Sequence, residues 1–158
     1  MAVIQNAVLT FLAADVSLIA TLTGGLYNRP LRNTIGQGGT PNAFAAEGAG
    51  GVPRLRPAGV VTDGGEVPAP GGEVINGTDT FPQVHFYAPA TATGKAALDT
   101  ADERVRTLLH GRRLSVAGVG LVTFSALERA RVLDSDEFPG NVQTFRRYRG
   151  ERVRGEGL

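Results

Sequence analysis

The chain has 158 residues and no cysteine, with sixteen basic side chains set against fifteen acidic ones. That length suits one domain able to bury a core without cross-links, and the missing cysteines exclude a disulfide scaffold, thiol catalysis, a zinc ribbon and an iron–sulfur cluster. The near-neutral balance supplies no global pull towards nucleic acid or membrane, although residues 101–158 hold eleven of the basic side chains and residues 1–100 only five.

In chain order, Val3, Ile4, Ala7, Val8, Phe11 and Leu12 recur at the spacing of one helix face, which predicts an N-terminal helix. No basic residue precedes it, Asn6 interrupts it and Asp15 ends it, so it reads as a mature helix and not a signal segment. No apolar run approaches the ~20 residues that span a bilayer. Asp15 is placed to cap a second short helix with Ile19 and Leu22 on its buried side. Gly24 and Gly25 stop that helix, and Leu26-Tyr27 forms a short extended piece closed by Pro30. Residues 33–53 are glycine-rich with few large apolar side chains and predict a long loop. Leu55–Thr62 reads as a short strand. Residues 63–80 are again loop-like, with turn signals at Asp63-Gly64-Gly65 and from Pro68 to Gly72; alternatively Asn76-Gly77 tips a hairpin after Val74-Ile75.

Phe81–Ala88 predicts a core strand with Val84, Phe86 and Ala88 on one face and Gln83, His85 and Tyr87 on the other, Pro82 being tolerated at its start. A helix over 94–110 follows. Its stripe is Ala97, Ala101, Val105 and Leu108, widened by Leu98 and Leu109, with Asp99, Asp102, Glu103, Arg104 and Arg106 off it and Gly111 as C-cap. Val122, Phe124, Ala126, Ala130 and Val132 alternate through 116–133, a turn falls at Pro139-Gly140-Asn141, and 142–153 reads as a strongly charged strand. The fold class is therefore α+β: N-terminal helices, a mostly antiparallel sheet with one long helix packed on it, a C-terminal β-hairpin and long Gly-rich loops at 33–53 and 63–80, all in a single domain spanning 1–158.

Chemistry-bearing patterns are sparse. His85 and His110 have no ligand partners at metal spacing and read as structural, His110 as a cation at a helix C-terminus. Gly94-Lys95 lacks the upstream glycine and the following Ser or Thr of a phosphate loop, and Gly118-Val119-Gly120 lacks a third glycine. No serine sits in a nucleophile elbow. Asp134, Asp136 and Glu137 do not follow a calcium-loop spacing and read as a solvated turn. Asn76-Gly77-Thr78 matches a glycosylation sequon, a short pattern that chance supplies often. These observations point away from an enzyme and from any cofactor or metal. The feature above background is the basic run Arg146, Arg147, Arg149, Arg152 and Arg154, with Phe145 and Tyr148 interleaved and Glu151 and Glu156 diluting it. It reads as a solvated or intersubunit strand face, with contact to DNA as the alternative.

Taken in order, several segments resemble the tail-completion (tail-terminator) proteins of long-tailed bacteriophages. The apolar first helix is followed by Asp15, Leu18, Leu22 and Gly24-Gly25, then by Leu26-Tyr27-Asn28-Arg29-Pro30. Later come Val84-His85-Phe86-Tyr87-Ala88, Val105–Gly111 ending in Leu108-Leu109-His110-Gly111, and the closing Phe145-Arg146-Arg147-Tyr148-Arg149. The middle departs from the family: where members carry a compact proline-led strand, Ile35–Thr80 is expanded and glycine-rich. The resemblance implies a structural virion protein at the head–tail junction, made in the host cytoplasm. It implies a homo-oligomeric ring, commonly a hexamer, that ends the tail tube and joins it to the head connector or stopper protein. DNA would be only passing cargo, and no membrane or cofactor would be involved. The alternatives are another neck component such as a head-completion or stopper protein, a phage-derived gene-transfer or secretion-type tail, a small ligand-binding or enzymatic domain, and a DNA-binding protein using the C-terminal arginines.

Overall fold

The computed structural model describes residues 2–31, 44–45, 54–64, 66–68 and 78–152. Helix α1 (Ala2–Ala13) turns Ile4, Val8 and Leu12 into the core, one residue per turn. Val3, expected on that face, is 42% exposed, because it lies on the flank of the stripe that Ile4 leads. Helix α2 (Val16–Thr21) is capped as expected: the Asp15 carboxylate accepts the Leu18 N–H at 2.8 Å. Its buried residue is Leu18, followed by Leu22, while Ile19 is half-buried. The Asp15 cap is itself held by Arg104, Nε to Oδ2 at 2.9 Å and Nη2 to Oδ1 at 2.7 Å, which fixes the rotation of α2 and directs Leu18 inwards.

Strand β1 (Gly25–Tyr27) starts at a glycine with φ +96° and pairs in parallel with β4 (Ala58–Thr62). Between them, β2 (Phe44–Ala45) and β3 (Arg54–Leu55) form a separate antiparallel pair. The strand expected over 55–62 is thus split at Arg56-Pro57, where proline supplies no N–H for a ladder. Inside the stretch expected as loop, β5 (Glu66–Pro68) and β6 (Thr78–Thr80) pair as an antiparallel hairpin. The Asn76-Gly77 turn with Val74-Ile75, and most of 33–53, lie outside the described residues.

Strand β7 (Gln83–Pro89) alternates as expected, Val84, Phe86 and Ala88 facing inwards. Helix α3 (Ala92–Leu109) begins earlier than the sequence suggested, because Thr91 caps it by accepting the Gly94 N–H at 3.0 Å. Its inner face is Gly94, Leu98, Ala101, Asp102, Val105 and Leu109, about one position round from the expected stripe: the two leucines take the centre, and Ala97 and Leu108 are only partly buried. Asp102, expected off the stripe, is 3% exposed and faces the sheet. Gly111 (φ +76°) ends the helix in the left-handed turn that its position required.

The last third differs in detail. Strand β8 (Arg113–Val116) forms a tight hairpin with β9 (Gly120–Arg129) through Gly118 and Gly120, both at positive φ. β10 (Leu133–Asp134) and then β11 (Asn141–Arg152) follow. The stretch expected as one strand over 116–133 divides into β9 and β10, and β8 precedes it, because Gly118 and Gly120 form a turn at positive φ. The expected C-terminal hairpin is present as the antiparallel β9–β11 pair, and the 139–141 turn leads from β10 into β11.

The fold is α+β, and β11 organises its mixed sheet, in which β1–β4 is the one parallel pair among the described residues. One edge of β11 holds β7 along residues 141–147 and β6 at 150–151; the other holds β10 at 142–143 and β9 at 146–152. On the inner face, helices and sheet share a core that includes Val8, Leu12, Leu18, Val84, Phe86, Leu98, Val105, Phe124 and Tyr148. On the outer face a smaller cluster of Leu31, Leu55, Ala58, Val60 and Phe138 covers part of β4 and β7.

Gly94 gives a test of this packing. A Cβ there would collide with the Pro89 carbonyl oxygen, a backbone atom with no freedom to retreat. Alanine normally stabilises a helix interior by ~1 kcal/mol over glycine. Here Gly94→Ala is expected to destabilise the protein instead, read as a lower urea midpoint at unchanged slope.

Candidate assembly surface on strand β11

The period of a strand divides the six singled-out residues between two environments. Arg146 and Tyr148 point inwards, towards α3; Phe145, Arg147 and Arg149 point outwards, and Arg152 lies near the strand end. The expected single charged face is therefore not what β11 presents. A register shift between Arg146 and Tyr148, where Arg129 and Ala126 of β9 stand opposite, preserves this division through the bulge.

On the inner side, Arg146 donates from Nε to Asp102 Oδ1 at 3.0 Å and from Nη2 to Oδ2 at 2.8 Å, while Nη1 donates to the Leu127 carbonyl at 2.8 Å. Arg129 adds Nε at 3.7 Å from Asp102 and Nη2 at 2.8 Å from Asp99. It also donates to Thr144 Oγ1 at 3.2 Å. A buried carboxylate needs such compensation, since its desolvation is costly without paired, hydrogen-bonded cations. Tyr148 beside them is fully buried, with no hydrogen-bond partner for its hydroxyl among the described residues. Burial, and then the Asp102 charge, push that phenol well above its usual value, so it stays neutral. Asp102 is the partner that sequence reasoning missed. The signal was present: Leu98, Asp102, Val105 and Leu109 keep helical spacing on one face.

On the outer side, Phe145 stacks on His85 with ring centroids 5.0 Å apart and planes at 24°. His85 Nε2 lies 3.0 Å from Gln83 Oε1, and burial lowers its pKa. Tyr87 meets Phe138 edge-on at 5.8 Å. Arg149 donates twice to Asp79 Oδ2, at 3.0 and 2.7 Å, and lies 3.2 Å from Glu151 Oε1. Arg152 donates to the Val119 carbonyl at 2.7 Å. Arg147 is exposed and has no hydrogen bond or ion pair among the described residues. Arg154 lies outside them. Most of the basic run is thus spent on intramolecular contacts, leaving little of it directed at a phosphate backbone. His110, expected as a structural residue at the helix C-terminus, accepts the Ala126 N–H at Nδ1 at 3.0 Å.

Two open depressions flank these elements. One, of about 510 Å³, lies beside the β9 bulge between Leu127, Glu128, Ala130, Phe145 and Arg147. The other, of about 410 Å³, runs between α1 and β8, with Val3, Ala7, Phe11, Leu114 and Val116 on its walls. Among the described residues there is no group of three or more His, Cys, Asp or Glu side chains placed to hold a metal ion. No described helix is long and apolar enough to cross a membrane.

No family model matches the sequence, and no curated protein does. The fold is similar to that of a chain in the virion of a native gene transfer agent (GTA) particle, with a TM-score of 0.63 and 18% sequence identity. The match covers 93% of this chain and 92% of that one. At that identity the likeness establishes the fold alone, over nearly the whole of both chains.

Two outcomes follow from the two faces of β11. Asp102→Ala and Arg146→Ala are each expected to lower unfolding free energy by about 3 kcal/mol, because each leaves the opposite charge buried. The double variant should lose clearly less than the sum in urea denaturation. His85, held neutral by burial, takes up its proton more readily in the unfolded chain, so its contribution to stability is present above about pH 6.5 and is lost as pH falls towards its lowered folded value. His85→Gln should therefore show a smaller loss of stability than the parent between about pH 7.5 and pH 5.

Proposed function

We propose that the chain is a structural subunit of a phage-type virion and, within that class, the tail-completion protein that ends the tail tube and joins it to the head connector or stopper. The observation that carries this reading is the end-to-end likeness in fold to a component of a GTA virion. It agrees with the order of segments that resembles the tail-completion family. The work of such a protein is steric and non-enzymatic. Copies contact one another through two different surfaces, and a repeated contact of that kind closes into a ring when its rotation allows. The reading places the ring, a hexamer by family resemblance, at the head–tail junction of the particle after assembly in the host cytoplasm. DNA passes through the lumen. The internal pairing of Arg146, Arg149 and Arg152 suits a pore that must not grip its cargo, since each free cation at a phosphate adds affinity and salt dependence. A head-completion or stopper role shares the fold argument and differs in its partner.

Light scattering of the purified protein across concentration, alone and with tail-tube subunits, tests the reading. A closed oligomer near six subunits, or a monomer that forms rings only when tubes are added, is the expected result. Rings that bind connector protein but ignore tubes would move the assignment to another neck position. A monomer indifferent to both would overturn it.

A further inference from the structure

Half of the sheet is a five-strand antiparallel ladder, β5-β6-β11-β9-β8, and among the described residues neither end strand has a second strand neighbour. Following the register across it, Val67, Asp79, Glu151, Thr123 and Arg113 stand in one row. These two end strands therefore sit at the same level of one molecule, separated by roughly 19 Å at ordinary strand spacing. Four antiparallel steps also leave β5 and β8 running in the same direction.

The β8 edge opens onto the depression of about 410 Å³ between β8 and α1. Its walls are largely apolar, and it accounts for Val3, one of the few large apolar side chains left exposed, at 42%. Antiparallel alternation leaves every second N–H and C=O of β8 turned away from β9 and into this slot. An open strand edge beside an apolar slot is the arrangement that accepts an added strand. Arg113 opens β8 and Glu66 opens β5. In a parallel pair those beginnings lie together. Pro68, with no N–H, limits the new ladder to the first residues of β5.

We propose that in the ring the β5 edge of one copy enters the slot between α1 and β8 of the next copy and adds to β8 as a parallel strand. The inference rests on the ring-subunit reading and supplies its contact. Because the two surfaces differ, the contact repeats around the assembly, and each subunit has both open edges of this ladder covered.

The chain has no cysteine, so introduced thiols report on this contact alone. Val67→Cys is mixed with Arg113→Cys, or with Ser115→Cys one register step along the same face, under ring-forming conditions, and oxidised. A covalent pair is expected from the mixture and not from either variant alone. The double variant should give a ladder of linked chains up to the ring size. Glu66→Cys in place of Val67→Cys covers the case in which position 67 tolerates no change, with circular dichroism confirming the fold. Rings by light scattering without any such cross-link would overturn the inference and leave the ring reading intact. A chain that remains monomeric with and without tube protein would overturn both.

Discussion

The Asp102–Arg146 pair sets the geometry on which the rest of the molecule depends. Asp102 sits on the inner face of α3 among leucine, alanine and valine, where an unpaired carboxylate would be prohibitively desolvated. Two short hydrogen bonds from Arg146 meet that demand, and the third guanidinium nitrogen holds the Leu127 carbonyl inside the β9 bulge. One side chain thus ties helix, central strand and bulge together. Apolar contacts alone permit a helix to slide or rotate over a sheet at modest cost; a bidentate pair with a fixed fork does not. The Asp15–Arg104 contact repeats the device at the other helical junction, joining the cap of α2 to α3. The pairs fix position more than they add net stability, since a buried ion pair recovers little beyond its own desolvation.

With α3 fixed, the two faces of the sheet divide their roles. The inner face carries the large core, and β11 contributes Val142 and Tyr148 to it. The outer face carries a thinner layer in which His85 lies against Phe145 and Tyr87 against Phe138, with the small cluster of Leu31, Leu55 and Val60 beside them. β11 can serve both faces because it is the longest strand and meets different partners along each edge. The same arrangement leaves short strands, β5 and β8, at the ends of a ladder. Such edges are templates for pairing, which a monomer must suppress and an assembling subunit can use.

The apolar spacing of α1, the Asp15 cap, the strict alternation of β7 and the left-handed glycine after α3 were all legible in the sequence, because each follows from a few neighbouring residues and from local backbone geometry. The candidate strand at 145–152 was legible as charged and aromatic, and its alternation was readable in principle. Which of its arginines are engaged was not, because Asp102, Asp79 and the Val119 carbonyl lie 44, 70 and 33 residues away.

What the sequence determined by itself, then, is the α+β class, the order of its elements and the absence of cysteine chemistry, since composition and short-range periodicity are properties of the chain. Only the tertiary structure decided that Asp102 faces inwards, that Gly94 is excluded from bearing a side chain by Pro89, that β8 exists as an open edge, and that the basic run is divided between core and surface. Each of these depends on which distant segments are brought together. Long-range pairing energies are settled by the whole chain at once, and local preference yields to them wherever a buried charge or a close backbone contact must be satisfied.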